Sequence, residues 1–402
     1  MTAEQRKKVF RYAAWPAALL VCGGMYFGAR AIADAHFSAA LESVSDTEVQ
    51  TLEGLWHYNA LSAREQRLYE VLRDAIDLRE TETARVSFVP TQKEFTAAFD
   101  AVMCDHPLYC DLVPAGCVLV AADHSAEASL AYLPDGGMRR EILEATVGML
   151  TAAVSTTDEK TAARQLHDML TASCAYPAQT EDAAVGETAY DALVVGEAGG
   201  MGYALAYALL CRAAEIPCAV VTGTAAANGI SGEHAWNVLT LDGVSGFTDV
   251  MWDDTAAITD GGEDAAALAF HGYYFLSRDE MAADHTPVYD FGVRGDTDDY
   301  YEQGNLCADS PDALAGLLQT LLTDARRSTS DTVEFRLDPQ LNLTGYALEE
   351  ILSAAITAAN ADETITAPLL RVVNRVYHTS ASGGGITVQL FYEETDLLGE
   401  PE

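Results

Sequence analysis

Between Gly196 and Asp254 the chain gathers residue types that can move a proton, next to a turn of bare glycine. Glu233-His234-Ala235-Trp236-Asn237 opens one expected strand, Ala235–Leu241. Asp249 closes a second, Phe247–Val250, and Met251-Trp252-Asp253-Asp254 follow. Asp242-Gly243 between them is a tight hairpin turn, so the two strands are expected to pair. An imidazole can take a proton from a reacting group, and a carboxylate on its far nitrogen fixes the tautomer and orientation of the ring. Upstream, Gly199-Gly200-Met201-Gly202 leads into an apolar helix expected over Tyr203–Cys211. A thiol at such a helix mouth would be favoured as thiolate by the helix dipole and the unpaired N–H groups. No thiol stands there. Cys211 lies about 16 Å along the helix from Gly200 at the usual rise. Cys218 follows Ile216-Pro217 and is expected in a buried strand, and no Ser or Thr lies between Glu197 and Leu210.

The order and spacing of these residues resemble the transglutaminase-like superfamily, whose core shares the papain-type arrangement. That family places its nucleophilic Cys at the helix mouth, in a pattern close to Gly-Val-Cys-x-Gly-Tyr-Ala. The matching run here is Gly199-Gly200-Met201-Gly202-Tyr203-Ala204, with Gly200 where the Cys belongs. Leu166–Leu170 and Thr188–Leu193 are similar to the family's lead-in segments, and Tyr274–Met281 with His285 to its closing segment. A weaker echo lies in Ala101–Leu112. The resemblance implies an α+β fold with a papain/transglutaminase-like core, its nucleophile-side helix packed on an antiparallel sheet. It also implies that His234 and Asp249 are two members of a Cys-His-Asp triad whose third position, Gly200, can be neither nucleophile nor ligand. The expected function is therefore a non-catalytic module that binds peptide, protein or cell-wall polypeptide in the cleft. The alternative is an active peptidase, amidase or protein cross-linker with an unconventional nucleophile, or with water activated by His234. Forgoing an acyl-enzyme would forfeit much of the rate, because covalent catalysis splits one hard step into two.

Other readings of the same residues stay open at this level. Gly199, Gly200 and Gly202 could form a nest of N–H groups that binds a carboxylate or other anion. A nucleotide is not expected, since the Lys and Ser/Thr of a phosphate loop are missing. His234 either bonds Asp249 to keep two strands in register or serves a ligand. Trp236 and Trp252 read as core or cleft-wall aromatics that could line a binding site. Tyr203 and Tyr207, one helical turn apart, are expected to pack on the sheet. No cofactor or metal is expected. No Asp-x-Asp-x-Asp-Gly loop suggests calcium. Cys104, His106, Cys110 and Cys117 cluster without a standard zinc spacing, so buried free thiols are the preferred reading there, ahead of a disulfide or zinc.

The rest of the 402-residue chain sets the context. Its net charge of −38 would repel nucleic acid and other polyanions, and reads as a solvated acidic surface. Arg6, Lys7, Lys8 and Arg11 precede an uncharged apolar run, Tyr12–Ala29, long enough to cross a bilayer. The basic flank places the body outside the cytoplasm on a single-pass anchor. Ala31-Ile32-Ala33 offers the alternative of a cleaved signal peptide and secretion, while Val21 before Cys22 argues against a lipoprotein.

The expected organisation is an anchor over residues 1–37, a helical and mixed region over 38–135, the transglutaminase-like core over 136–290, a linker over 291–304 and a small α+β domain over 305–402. Within it, helices are expected at Glu94–Met103, Glu141–Val154, Lys160–Thr171, Pro311–Arg326 and Ala347–Ala359, and after a capping box at Ser62-Ala63-Arg64-Glu65. Further strands are expected at Arg85–Val89, Ala219–Gly223, Val333–Leu337 and Ile386–Tyr392, with a hairpin of Val118–Ala121 and Ala128–Leu133.

Overall fold

Capping boxes start both long helices of the N-terminal region. Ser62 accepts from the Glu65 backbone while Glu65 reaches back to the Ser62 N–H, and Thr91 and Glu94 repeat the exchange. Each box satisfies donors that the first helical turn would leave bare. The computed structural model describes residues 55–154, 156–176, 186–227, 230–254, 270–289, 292–293, 298–338, 340–341, 343, 345–380 and 383–392. Tyr12–Ala29, Cys22 and the candidate cleavage site lie outside the described residues. No helix among the described residues is long and apolar enough to cross a membrane.

In chain order the elements are α1 (Trp56–Ala60), α2 (Ala63–Asp77), α3 (Gln92–Asp105), β1 (Val118–Ala121), β2 (Ala126–Ser129), α4 (Gly136–Ala153), α5 (Glu159–Ser173), α6 (Gly200–Ala213), β3 (Cys218–Ala227), β4 (Ile230–Leu241), β5 (Val244–Thr248), α7 (Val250–Asp253), α8 (Arg278–Met281), β6 (His285–Pro287), α9 (Tyr300–Gln303), β7 (Cys307–Ala308), α10 (Pro311–Ser328), β8 (Thr332–Leu337), α11 (Gly345–Asn360), β9 (Leu370–Ser380) and β10 (Gly383–Tyr392). The fold is α+β. Two compact units divide it: Met1–Leu170 with Val185–Val220, and Thr171–Ala184 with Val221–Glu402.

In the first unit α2 turns Leu68, Tyr69, Leu72 and Ile76 inward against Phe95, Phe99 and Val102 of α3. The β1–β2 hairpin pairs Val118 with Ser129 and Ala121 with Ala126. Arg85–Val89 is not a strand: Val86 alone bridges, to Ala126, and is the one buried residue of that stretch. Two buried carboxylates tie the unit together. Asp105 accepts from the backbone N–H groups of His57 and Tyr58 and from the Tyr69 hydroxyl. Asp111, whose side chain is fully buried, pairs with Arg79 and Arg140.

Helix α6 is buried continuously from Gly202 to Cys211, which explains an apolar sequence with no polar stripe. The Tyr207 hydroxyl donates to Ala163 O at 3.1 Å, and Arg212 Nε to Cys218 O at 2.8 Å. The seven described cysteines are free thiols, and His106 bonds the Tyr69 hydroxyl.

The second unit holds two four-stranded sheets, ordered β5-β4-β3-β6 and β7-β8-β10-β9. The β4–β5 hairpin runs from Asn237↔Thr248 to Leu241↔Val244. Its turn has φ of 50° at Asp242 and 79° at Gly243, and two successive positive φ values give the hairpin turn the sequence predicts. The other sheet is covered by α10 and α11. Leu314, Leu318 and Leu322 of α10 meet Leu348 and Leu352 of α11 over Phe335 and Val388. Ser310 caps α10 with Pro311 in its first turn. The expected connector over 291–304 contains a helical turn, α9, started by the Asp299 side chain.

Candidate functional site

The sheet β5-β4-β3-β6 places three titratable side chains together in the second unit. His234 is on β4, Asp249 immediately follows β5, and His285 is the first residue of β6. Asp249 stops its strand for a local reason. Its Oδ1 accepts from Trp252 N–H at 3.2 Å, so it caps the short helix α7. Its Oδ2 accepts from His234 Nε2 at 2.6 Å and from His285 Nε2 at 3.1 Å. His285 Nδ1 lies 2.6 Å from Asp284 Oδ1, and the Tyr273 hydroxyl donates to Asp284 Oδ2 at 2.8 Å.

The segment 273–276 locks onto β5 and completes the frame. Asp249 N–H donates to Tyr273 O, and Phe247 and Leu276 exchange both backbone bonds. Tyr273 N–H donates to Asp253 Oδ1 at 2.7 Å, and Phe275 N–H to Thr248 Oγ1 at 2.9 Å. The Phe275 ring lies where a side chain on Gly246 would be, with three ring carbons within 2.9 Å of that Cβ position. Gly223 plays the same part on β3, since its Cβ would meet Trp236 Cη2, Pro287 Cα and the Thr286 carbonyl. Glycine at both positions is a requirement of close approach.

Aromatic rings wall the group. His234 stacks near Trp252, with centroids 5.4 Å apart, and His285 lies 4.6 Å from Trp252 and 4.8 Å from Trp236. Both Trp rings are buried. An apolar cavity of about 190 Å³ adjoins, lined in part by Val221, Trp236, Val238, Phe247, Met281 and His285.

Burial opposes charge on Asp249, yet the two imidazoles bonded to it hold its carboxyl well below the usual range. An ionised carboxylate only accepts, so both Nε2 atoms that face it carry protons. In neutral His234 the proton is therefore on Nε2, and Nδ1 is an acceptor. Burial also opposes charge on His285. The hydrogen bonds and charges of Asp249 and Asp284 outweigh it and raise its pKa to about 9. His285 is thus an imidazolium at neutral pH, donating from both nitrogens. The donor atoms of His234, Asp249 and His285 lie within 4.8 Å of one another, near enough to hold a cation. The contacts of 2.6 and 3.1 Å to Asp249, and the second carboxylate on His285, fit charge-assisted N–H···O hydrogen bonds.

Among the residues singled out in the sequence, the structure gathers His234, Asp249, Trp236 and Trp252. Gly199, Gly200 and Gly202 open α6 in the first unit. Gly199 N–H is committed to Gly186 O at 2.8 Å, and a Cβ on Gly202 would meet Ala198 Cβ at 2.7 Å. Sequence reasoning missed His285, Asp284 and Tyr273 as members of the site. The signal that could have found them is Asp284-His285, an acid next to a histidine, at the end of the closing segment.

A sequence model of the transglutaminase-like superfamily matches residues 148–248. Residues 148–248 form a transglutaminase-like domain. The match contains Gly200 and His234 and ends one residue before Asp249. Among solved structures, a candidate cysteine protease from Cytophaga hutchinsonii is 15% identical with a TM-score of 0.22, over 33% of this chain and 55% of that one. A candidate protease from Parabacteroides distasonis is 9% identical with a TM-score of 0.21, over 69% of this chain and 62% of that one. The chain therefore spans less than two thirds of the length of either. No curated protein matches.

Proposed function

We propose that this transglutaminase-like domain is not a thiol enzyme but a module that binds peptide, protein or cell-wall polypeptide. The observation that carries the reading is Gly200, the first residue of α6, where the family motif implies the nucleophile. The chain's other thiols in this region make poor substitutes. Cys211 and Cys218 are buried, and burial pushes the Cys211 thiol well above its ordinary value. A thiol that stays protonated does not attack. In the second unit Trp236 and Trp252 are proposed contacts, with His234 offering Nδ1 as an acceptor to a ligand N–H or O–H; in the first unit Gly199, Gly200 and Gly202 are proposed contacts in their own right.

The body is proposed to lie outside the cytoplasm, tethered by Tyr12–Ala29 or released near Ala33. Protease added to intact cells should then degrade the body of an anchored form, and protection until lysis would reverse the orientation.

The catalytic test uses the purified chain on generic glutamine and peptide substrates. No amine incorporation or hydrolysis sensitive to iodoacetamide is expected. Such turnover, lost in His234→Ala, would overturn the reading. The retained His234–Asp249 bond favours one second reading, hydrolysis by water that His234 activates. That reading requires turnover indifferent to iodoacetamide and abolished in His234→Ala.

A further inference from the structure

We propose that His285 is a positioning residue: a buried imidazolium that fixes Asp249 and, through it, the tautomer and ring orientation of His234. The proposal stands whether the domain binds or hydrolyses, because it concerns how the relay is held.

The geometry forms a closed circuit. Asp249 N–H bonds Tyr273 O, the Tyr273 hydroxyl bonds Asp284, Asp284 accepts from His285 Nδ1, and His285 Nε2 returns to Asp249 Oδ2. Three stretches of chain, at the end of β5, at 273–276 and at the start of β6, each supply a link. With His234 as its sole partner, the Asp249 carboxylate could swing about its own side-chain torsion. Here one oxygen is held by Trp252 N–H and the other by two imidazoles. The oxygen that His234 meets is thereby fixed, and that bond selects the Nε2–H form of the ring.

Charge supports the same role. The titratable groups facing His285 are Asp249, Asp284, His234 and Tyr273, and the surrounding rings are Trp236 and Trp252. The His285 side chain has no solvent exposure and Asp249 has 1%. A buried carboxylate, Asp249, beside a second, partly buried one, Asp284, favours a cation between them, and His285 supplies it within hydrogen-bond distance of both. The role of the circuit is to present Nδ1 of His234 as a fixed acceptor.

Long-range proton–nitrogen spectra of the histidine rings in the full chain test this. At pH 7 His285 is expected with both nitrogens protonated, and neutral His234 as the Nε2–H tautomer alone. His285→Gln can still donate an amide N–H to Asp249, and should keep the His234 tautomer. His285→Ala loses the donor and should leave His234 populating both tautomers. Should the alanine variant not fold, Asp284→Asn carries the test. Loss of one of its two carboxylates should lower the His285 titration by at least about one pH unit. A neutral His285 at pH 7 would overturn the proposal. So would an Nδ1–H tautomer of His234, or a His285 titration unmoved by Asp284→Asn. Equimolar zinc chloride that shifts both rings together would make the group a cation site instead, and overturn it too.

Discussion

Raising the pH should weaken the second unit well before any tyrosine ionises. His285 has an ordinary pKa of 6.5 in an unfolded chain and about 9 in the fold. Below pH 6.5 both states hold the proton, and the stabilisation from its two carboxylates is complete. Between pH 6.5 and 9 only the folded state retains it, so stability falls by about 1.4 kcal/mol per pH unit. Across the whole window the loss is roughly 3 kcal/mol, a large share of a typical domain's stability. The depressed Asp249 reports the same contact from the other side and is counted once. His57 and His106 carry lowered pKa values from burial, so their effect lies below pH 6.5 and leaves this window alone. The assay is urea unfolding at pH 6, 7, 8 and 9, followed by tryptophan emission, with Trp236 and Trp252 reporting on the site. His285→Gln, which cannot carry the charge, should flatten the slope between pH 6.5 and 8.5. A flat wild-type profile, or the same slope in the variant, would refute the reasoning.

Gly223→Ala should cost about 1–3 kcal/mol by overpacking, because the new methyl meets the Thr286 carbonyl and Trp236. It should also detach His285 by lifting β6, which unfolding curves and the histidine spectra would register together. In the first unit, Asp111→Ala strands Arg79 and Arg140 and should cost about 3 kcal/mol in urea unfolding. Gly200→Cys tests the family alignment: the new thiol should alkylate faster at neutral pH than Cys211 or Cys218, and lose that excess in Gly200→Cys, His234→Ala. A folded variant indifferent to His234 would break the alignment.

Much of the fold was legible because most elements form from local patterns. The Ser62 capping box, the Asp242-Gly243 turn, the apolar run of α6 and the leucine stripe of α10 each specify their element alone. Helix α4 starts at Gly136 rather than Glu141: glycine is a weak helix former, and the burial of Gly136 overrides that preference. Strand β9 was missed because Asn374 and Arg375 interrupt its β-branched residues, and ten pairings with β10 supply what the sequence does not. His234 and Asp249 were legible as a pair, since a predictable hairpin joins them. His285 was not: it is thirty-six residues beyond Asp249, and β6 is three residues long with two of them exposed. Only its docking beside Gly223 brings the ring to the carboxylate.

The glycine sockets under Phe275 and Trp236 bear on how such a site ages. A catalytic residue can be lost without harm once its reaction is no longer needed, and a glycine at the start of a helix costs the fold little. The proton relay is placed differently. Asp249 caps a helix, His285 closes a circuit across three stretches of chain, and the rings around them fill hollows that any added methyl group would block. Drift at these positions is paid for in stability at once, whatever the domain does. The cluster of His234, Asp249 and His285 should therefore persist in the fold whatever residue stands at position 200.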